Sequence, residues 1–281
     1  RGFGGSMPEG GNAGMEDLFR EETRDLWRYL KEVSPDFSLY DAFLYRQDIH
    51  NCKAVIKGVL SGRAYQPLLL EPSSVPPEDL EKAVREGAFE LLPPFLREAA
   101  GRAYEILAHA ADAQLADAVL DRAGMAAMLA AADRSRVPML RELMATQVFY
   151  ADCKTALRAA RAGKPPAYLE QALCPCPGLD IGTLAAAAAA GEKAVLACME
   201  ELDAYGSRQA AERYREFEKF VDDRTMEVAR KGRSVTLGPE PLLGYLVAKE
   251  MQQKDLHILF SGLRAGQAEA DIRFRLRELY P

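Results

Sequence analysis

Three stretches of the chain are variations on one pattern. IHNCKAVIKGVLSG ends at Gly62, YADCKTALRAARAG ends at Gly163 and KDLHILFSGLRAG ends at Gly266. Anchored on the glycines without gaps, Asn51 aligns with Asp152 and Asp255, Lys53 with Lys154 and His257, and Ile56 with Leu157 and Phe260. The glycines are 101 and then 103 residues apart, so the chain reads as a threefold internal repeat. A period of roughly a hundred residues is too long for the common solenoids. Such a chain is a pseudo-symmetric scaffold before it is anything else.

Each anchor stretch carries helical spacing. Ile49, Cys52, Val55, Ile56, Val59 and Leu60 recur at three- and four-residue steps and share one helix face. Gly62 sits where a left-handed residue closes a helix, with Lys57 near the helix C-terminus, where a cation suits the dipole. Gly163 with Arg158 and Arg161, and Gly266 with Arg264, repeat the device. Helices ending at Ser61, Ala162 and Ala265 are therefore expected around a common axis, each closed by a glycine of positive φ.

The intervening segments are also helical. Pro76 and Pro77 followed by Glu78 and Asp79 open one helix, and Pro93 and Pro94 open another. Val119-Leu120-Asp121 and Phe220-Val221-Asp222 stand 31 and 33 residues before Asp152 and Asp255, giving the units a second shared helix. Pro239 and Pro241 punctuate the start of a long third anchor helix. Only 67–72 and 234–237 look extended, and both are short enough for loops. The expected division is a flexible or truncated stretch at 1–14, a first repeat at 15–72 that is shorter by one or two helices, a second at 73–172 and a third at 173–281.

Composition narrows the function classes. A net charge of -6 disfavours a nucleic-acid backbone as partner. No run approaches the ~18 apolar residues of a membrane span, and Ala185 to Ala190 is too short. Five cysteines, an odd number in a long chain, fit a reducing compartment. Cys52 and Cys153 occupy equivalent repeat positions, as small buried hydrophobes do.

Chemistry is sparse. His50, His109 and His257 are scattered, and His50 and His257 lie on different faces of equivalent helices. Cys174-Pro175-Cys176 places two thiols close together, but a structural zinc site takes four ligands and only Cys198 follows. No phosphate-binding GxxxxGKS/T run occurs. The neighbouring pairs Glu21-Glu22, Glu200-Glu201 and Asp222-Asp223 point about 100° apart on a helix and read as solvated faces. The mixed charges from Arg208 to Glu227 read as a long exposed helix with intrahelical pairs. The expectation is no catalytic residue, no cofactor and no metal. A generic helical interaction scaffold remains the alternative to any more specific role, with a thiol- or metal-dependent enzyme behind it.

GPEPLLGYLVAKEMQQKDLHILFSGLRAG, together with LYRQDIHNCKAVIKGVLSG, resembles the C-type subunit of the archaeal and bacterial V/A-type rotary ATPases, which corresponds to the d-type subunit of the eukaryotic vacuolar enzyme. The resemblance runs from Met15 onward and ends in an RLRELY tail at Arg275 to Tyr280. In that pattern an acidic residue precedes an Asn by three positions. Asp48 and Asn51 keep it, whereas Phe149 with Asp152 and Gln252 with Asp255 depart from it. The resemblance implies an all-α funnel of three similar helical bundles around a pseudo-threefold axis. It implies a central-stalk subunit, monomeric when isolated and peripheral on the cytoplasmic side of the membrane. Its implied partners are central shaft subunits of D and F type and a membrane proteolipid ring, with no bilayer-spanning segment of its own.

Overall fold

The α1 helix, Gly11–Val33, leads through a 3-10 turn at Phe37–Tyr40 into α2, Asp41–Ser61. The computed structural model describes residues 11–212 and 214–280, so 1–10 of the glycine-rich N-terminal stretch lie outside the described residues. Two shorter helices follow, α3 at Pro77–Glu86 and α4 at Pro94–Glu105, both opened by prolines whose missing N–H costs nothing in a first turn. Next come α5, Ala113–Ser135, capped by Asp112, and α6, Pro138–Arg161. Then α7 at Pro166–Ala172, α8 at Ile181–Ala190, α9 at Glu192–Leu202 and α10 at Ala204–Glu212 form a run of short helices. The chain ends with α11 at Tyr214–Arg230, α12 at Glu240–Arg264 and α13 at Glu269–Arg275. Among the described residues the only β feature is one isolated bridge between Cys176 and Leu179, so the fold is all-α.

Three long helix pairs, α1/α2, α5/α6 and α11/α12, organise the rest. The α2 helix lies antiparallel to α5, with Lys57 bonded to Asp117 at 2.7 Å and Lys53 to Asp121 at 2.5 Å. The α6 helix packs on α11, where Tyr150 meets Phe217 and Phe220 at ring distances of 6.0 and 5.5 Å. The α12 helix returns to α1 through Lys249–Glu22 at 2.6 Å, Gln253–Thr23 at 3.0 Å and the His257–Phe19 rings at 4.1 Å. The chain thus closes on itself. Arg46 of α2 bonds Glu250 of α12 at 3.0 Å, and these two stand at equivalent repeat positions. Two equivalent residues can touch only if their helices are level with each other, so the glycine ends of α2 and α12 lie on one side.

The apolar residues divide accordingly. At the turn ends of the three pairs, one core gathers Trp27, Phe43, Met128, Leu143, Met226 and Leu246 from all six long helices. Toward the glycine ends the core splits. Ile56, Leu80, Leu96 and Leu120 fill a bundle of α2 to α5, while Leu157, Leu169, Leu184, Val195 and Phe217 fill one running from α6 to α11. Each of these bundles crosses a repeat boundary read from the sequence, at 72/73 and at 172/173. Sequence period and packing unit are offset because the short helices following one anchor helix pack against the long pair of the next.

The charged run from Arg208 to Glu227 needs correction. It is divided between α10 and α11. Lys219–Asp223 and Arg224–Glu227 are intrahelical pairs as expected, but Phe217, Phe220 and Asp222 are buried. Asp222 bonds Lys254 of α12 and Arg277 of the C-terminal tail. That partnership spans 55 residues, and local charge alternation carries no trace of it.

Candidate functional site

On the glycine side of the shared core lies a cavity of about 530 Å³, walled by α2, α5, α6, α11 and α12. Apolar positions such as Met128 and Met251 sit where the cavity meets the core, and charged ones line the rest. Five cations, Arg46, Lys53, Lys154, Arg158 and Lys254, face three carboxylates, Asp121, Glu218 and Asp222. The balance is positive inside a chain whose net charge is negative.

The repeat-equivalent polar residues lie outside this cavity, where each anchors the chain segment beyond its own helix. Asn51 uses its whole amide: Oδ1 accepts from the Leu70 N–H at 2.8 Å and Nδ2 donates to the Leu70 carbonyl at 3.0 Å. Asp152 accepts from the Cys174 N–H with both oxygens at 3.1 Å. Asp255 accepts from the Arg277 N–H at 2.9 Å. In every unit the clamped residue follows an extended leucine, Leu69, Leu173 or Leu276, which ends a short helical element. The clamp satisfies backbone groups where the chain leaves helical structure. Asp48 adds a fourth contact in the first unit, accepting from the N–H groups of Ser74 at 2.8 Å and Val75 at 3.1 Å and from the Ser74 hydroxyl.

Burial sets the electrostatics of these carboxyls. Desolvation disfavours a charged side chain and raises an acid's pKa. Asp152, fully buried, is pushed up to about 7, with the Cys174 N–H and Arg122 opposing the shift. Asp48 and Asp255 are raised for the same first reason, countered by Ser74 at Asp48 and by the Arg277 backbone N–H and guanidinium at Asp255.

The three glycines close their helices with the same hydrogen bond. Gly62, Gly163 and Gly266 have φ of 66°, 60° and 63°. The residue after each donates its N–H back five positions: Arg63 to Gly58 at 3.2 Å, Lys164 to Ala159 at 2.9 Å and Gln267 to Gly262 at 3.0 Å. This is the Schellman closure, which needs a left-handed residue. By secondary structure α2 ends at Ser61, while α6 and α12 end at Arg161 and Arg264, one residue before the expected ends.

Other candidate groups do not assemble. Cys174 and Cys176 are reduced, and burial pushes both thiols up to about 12, which leaves almost no thiolate at neutral pH. No group of three or more His, Cys, Asp or Glu residues placed to hold a metal occurs among the described residues. His50 bonds the Leu68 carbonyl at 2.8 Å, His109 pairs with Glu105 at 2.9 Å, and the His257 ring packs at a tilt of 35° against Phe19. No helix among the described residues is long and apolar enough to cross a membrane.

Sequence reasoning missed the cavity wall. The signal was present in two aligned columns: Lys53 with Lys154, and Asp121 with Asp222. At the α2–α5 interface those columns meet as Lys53–Asp121, which identifies them as partners across it.

A family model described as ATP synthase (C/AC39) subunit matches residues 6–275 of the chain. The chain is also similar to the C subunit of the V-type sodium ATPase of Enterococcus hirae, with 21% identity over 278 residues, covering 97% of this chain and 84% of the relative.

Proposed function

The chain belongs to the ATP synthase (C/AC39) subunit family, and from that premise we propose that it is the non-catalytic coupling subunit of a V/A-type rotary ATPase. In this reading it sits on the cytoplasmic side of the membrane between D- and F-type shaft subunits and the proteolipid ring, and passes torque between them. The observation that carries the reading is the polarity of the core. Three long helix pairs share one apolar core at their turn ends, and the cavity lies on the opposite, glycine side of it. A body closed at one end and hollow at the other is a socket, which in this reading sets the three long helix pairs around a pseudo-threefold axis with the mouth at the glycine rim. The shaft tip enters that mouth, and the turn ends stand on the ring.

Torque transfer requires the socket walls to resist splaying. The α12–α1 closure supplies that stiffness by joining helices whose contacting residues are 227 and 230 positions apart, and the three clamps add to it by pinning the segment after each anchor helix back onto that helix. The chain needs no nucleotide or ion site for this work. The test is to measure ATPase activity and ATP-driven ion uptake together in reconstituted vesicles. Charge reversals on the turn-end rim are expected to weaken attachment to the ring and to abolish uptake while ATP hydrolysis continues. Ion uptake that stays fully coupled after a confirmed loss of attachment would overturn the reading, as would a wild-type chain that never associates with a proteolipid ring.

A further inference from the structure

The threefold pattern is broken at one place in the cavity wall. In the first interface Lys53 of α2 bonds Asp121 of α5 at 2.5 Å. The equivalent residues in the second interface are Lys154 of α6 and Asp222 of α11. Both oxygens of Asp222 are already taken: Oδ1 by Lys254 at 2.6 Å and Oδ2 by Arg277 at 2.8 Å. Lys154 therefore makes no side-chain hydrogen bond or ion pair among the described residues, and neither does Arg158, one helical turn further along the same wall. The other lining cations have carboxylates: Lys53 holds Asp121, Lys254 holds Asp222 and Arg46 holds Glu250.

Taking the coupling reading as ground, we propose that Lys154 and Arg158 are the docking pair for carboxylate side chains on the shaft tip. Two cations four residues apart on one helix present neighbouring donors, and an incoming acidic helix with carboxylates at the same spacing matches them. The wall has an excess of positive charge, so an acidic occupant is favoured and a basic one repelled. Burial already holds Lys154 below the usual lysine range, against the weak pull of Glu218 and Asp222. A carboxylate arriving in the cavity restores the stability of its charge. Glu218, on the facing helix, is the competing acid, so its removal strengthens the same attraction.

The experiment measures binding of the full chain to the purified shaft subunits of its own complex, at low and at physiological salt. The wild type is expected to bind, with affinity falling as salt rises. Lys154→Glu with Arg158→Glu is expected to weaken binding tenfold or more, and Lys154→Met with Arg158→Met to weaken it less. Glu218→Gln is expected to tighten binding at least twofold, a change that misfolding does not produce. Circular dichroism and thermal melts check that each variant folds; should the reversal variant fail there, the neutral pair and Glu218→Gln decide the outcome. A wild-type chain that binds the shaft while the folded variants bind it equally well would overturn the docking pair and leave the coupling reading standing. A wild-type chain that binds no shaft would overturn the coupling reading itself. Tightening by the reversal would show that the occupant is basic.

Discussion

The clamps at Asn51 and Asp152 occupy the same place in two copies of one unit, yet they do different chemistry. Asn51 is neutral and makes one donor and one acceptor bond to Leu70, so both backbone groups of that residue are met. Asp152 is equally buried but can only accept while ionised, and it spends both oxygens on a single N–H. Burial that one N–H and the nearby Arg122 do not offset pushes its pKa up to about 7. Divergence between the repeats has kept the geometry of the clamp, an acceptor facing one N–H, and relaxed its electrostatics.

Removing the better clamp has the largest expected effect. Asn51→Leu keeps the branched outline of the side chain, with bulkier methyl tips, and strands the N–H and carbonyl of Leu70, which Asn51 now satisfies. Leaving two such groups unpaired costs roughly 2–5 kcal/mol. Urea unfolding should show the loss as a lower midpoint. A midpoint shift equivalent to less than about 1 kcal/mol would mean that water reaches Leu70 and the clamp is ornamental.

Converting the poorer clamp into the better one has the opposite sign. The folded pKa of Asp152 is raised to about 7, above that of an unfolded aspartate. The native state therefore holds a proton that the unfolded state has released, and stability falls as pH rises from about 4 to about 7, then levels off. Asp152→Asn removes that titration and offers an amide in its place. It should be close to neutral at pH 4 and stabilising by roughly 1–3 kcal/mol at pH 8. Melting curves of both proteins across that pH range check it; parallel curves would show that Asp152 does not carry the pH dependence.

The legible part of this molecule was whatever repeats or recurs locally. Helical spacing around Ile49 to Leu60, the prolines that open α3 and α4, and the glycines at 62, 163 and 266 each report on a few neighbouring residues, so the all-α class could be read directly. The columns Asn51/Asp152/Asp255 and Lys53/Lys154/His257 were visible as columns, but not what they touch. Asn51 reaches 19 residues ahead, Lys53 reaches 68, and Asp222 reaches Arg277 across 55. Contacts at those distances depend on how the helices stack. The same holds for the cavity: its cations come from three helices, and nothing in any one of them marks an inward face. Of the glycine-rich start at 1–14, which composition reads as a flexible or truncated stretch, residues 11–14 belong to a helix that runs from Gly11.

The third clamp gives the smallest expected effect. Asp255 is only half-buried, and the same Arg277 whose N–H it accepts also brings a guanidinium close enough to favour the carboxylate. Desolvation still dominates, so its pKa is raised, and the direction of the linkage matches that of Asp152: stability declines as pH rises past the ordinary aspartate range. Solvent and Arg277 both blunt that decline. Asp255→Asn keeps an oxygen for the Arg277 N–H, relieves part of the desolvation cost and forfeits the attraction to the guanidinium, two changes of opposite sign. The net effect at pH 8 should fall within about 0.5 kcal/mol of zero, in keeping with partly exposed charge pairs. Added salt should shift it toward stabilisation, because screening weakens the lost attraction more than it changes burial. A stabilisation as large as that of Asp152→Asn would place Asp255 in the same dry environment as Asp152, and the ranking of the three clamps by burial would fail.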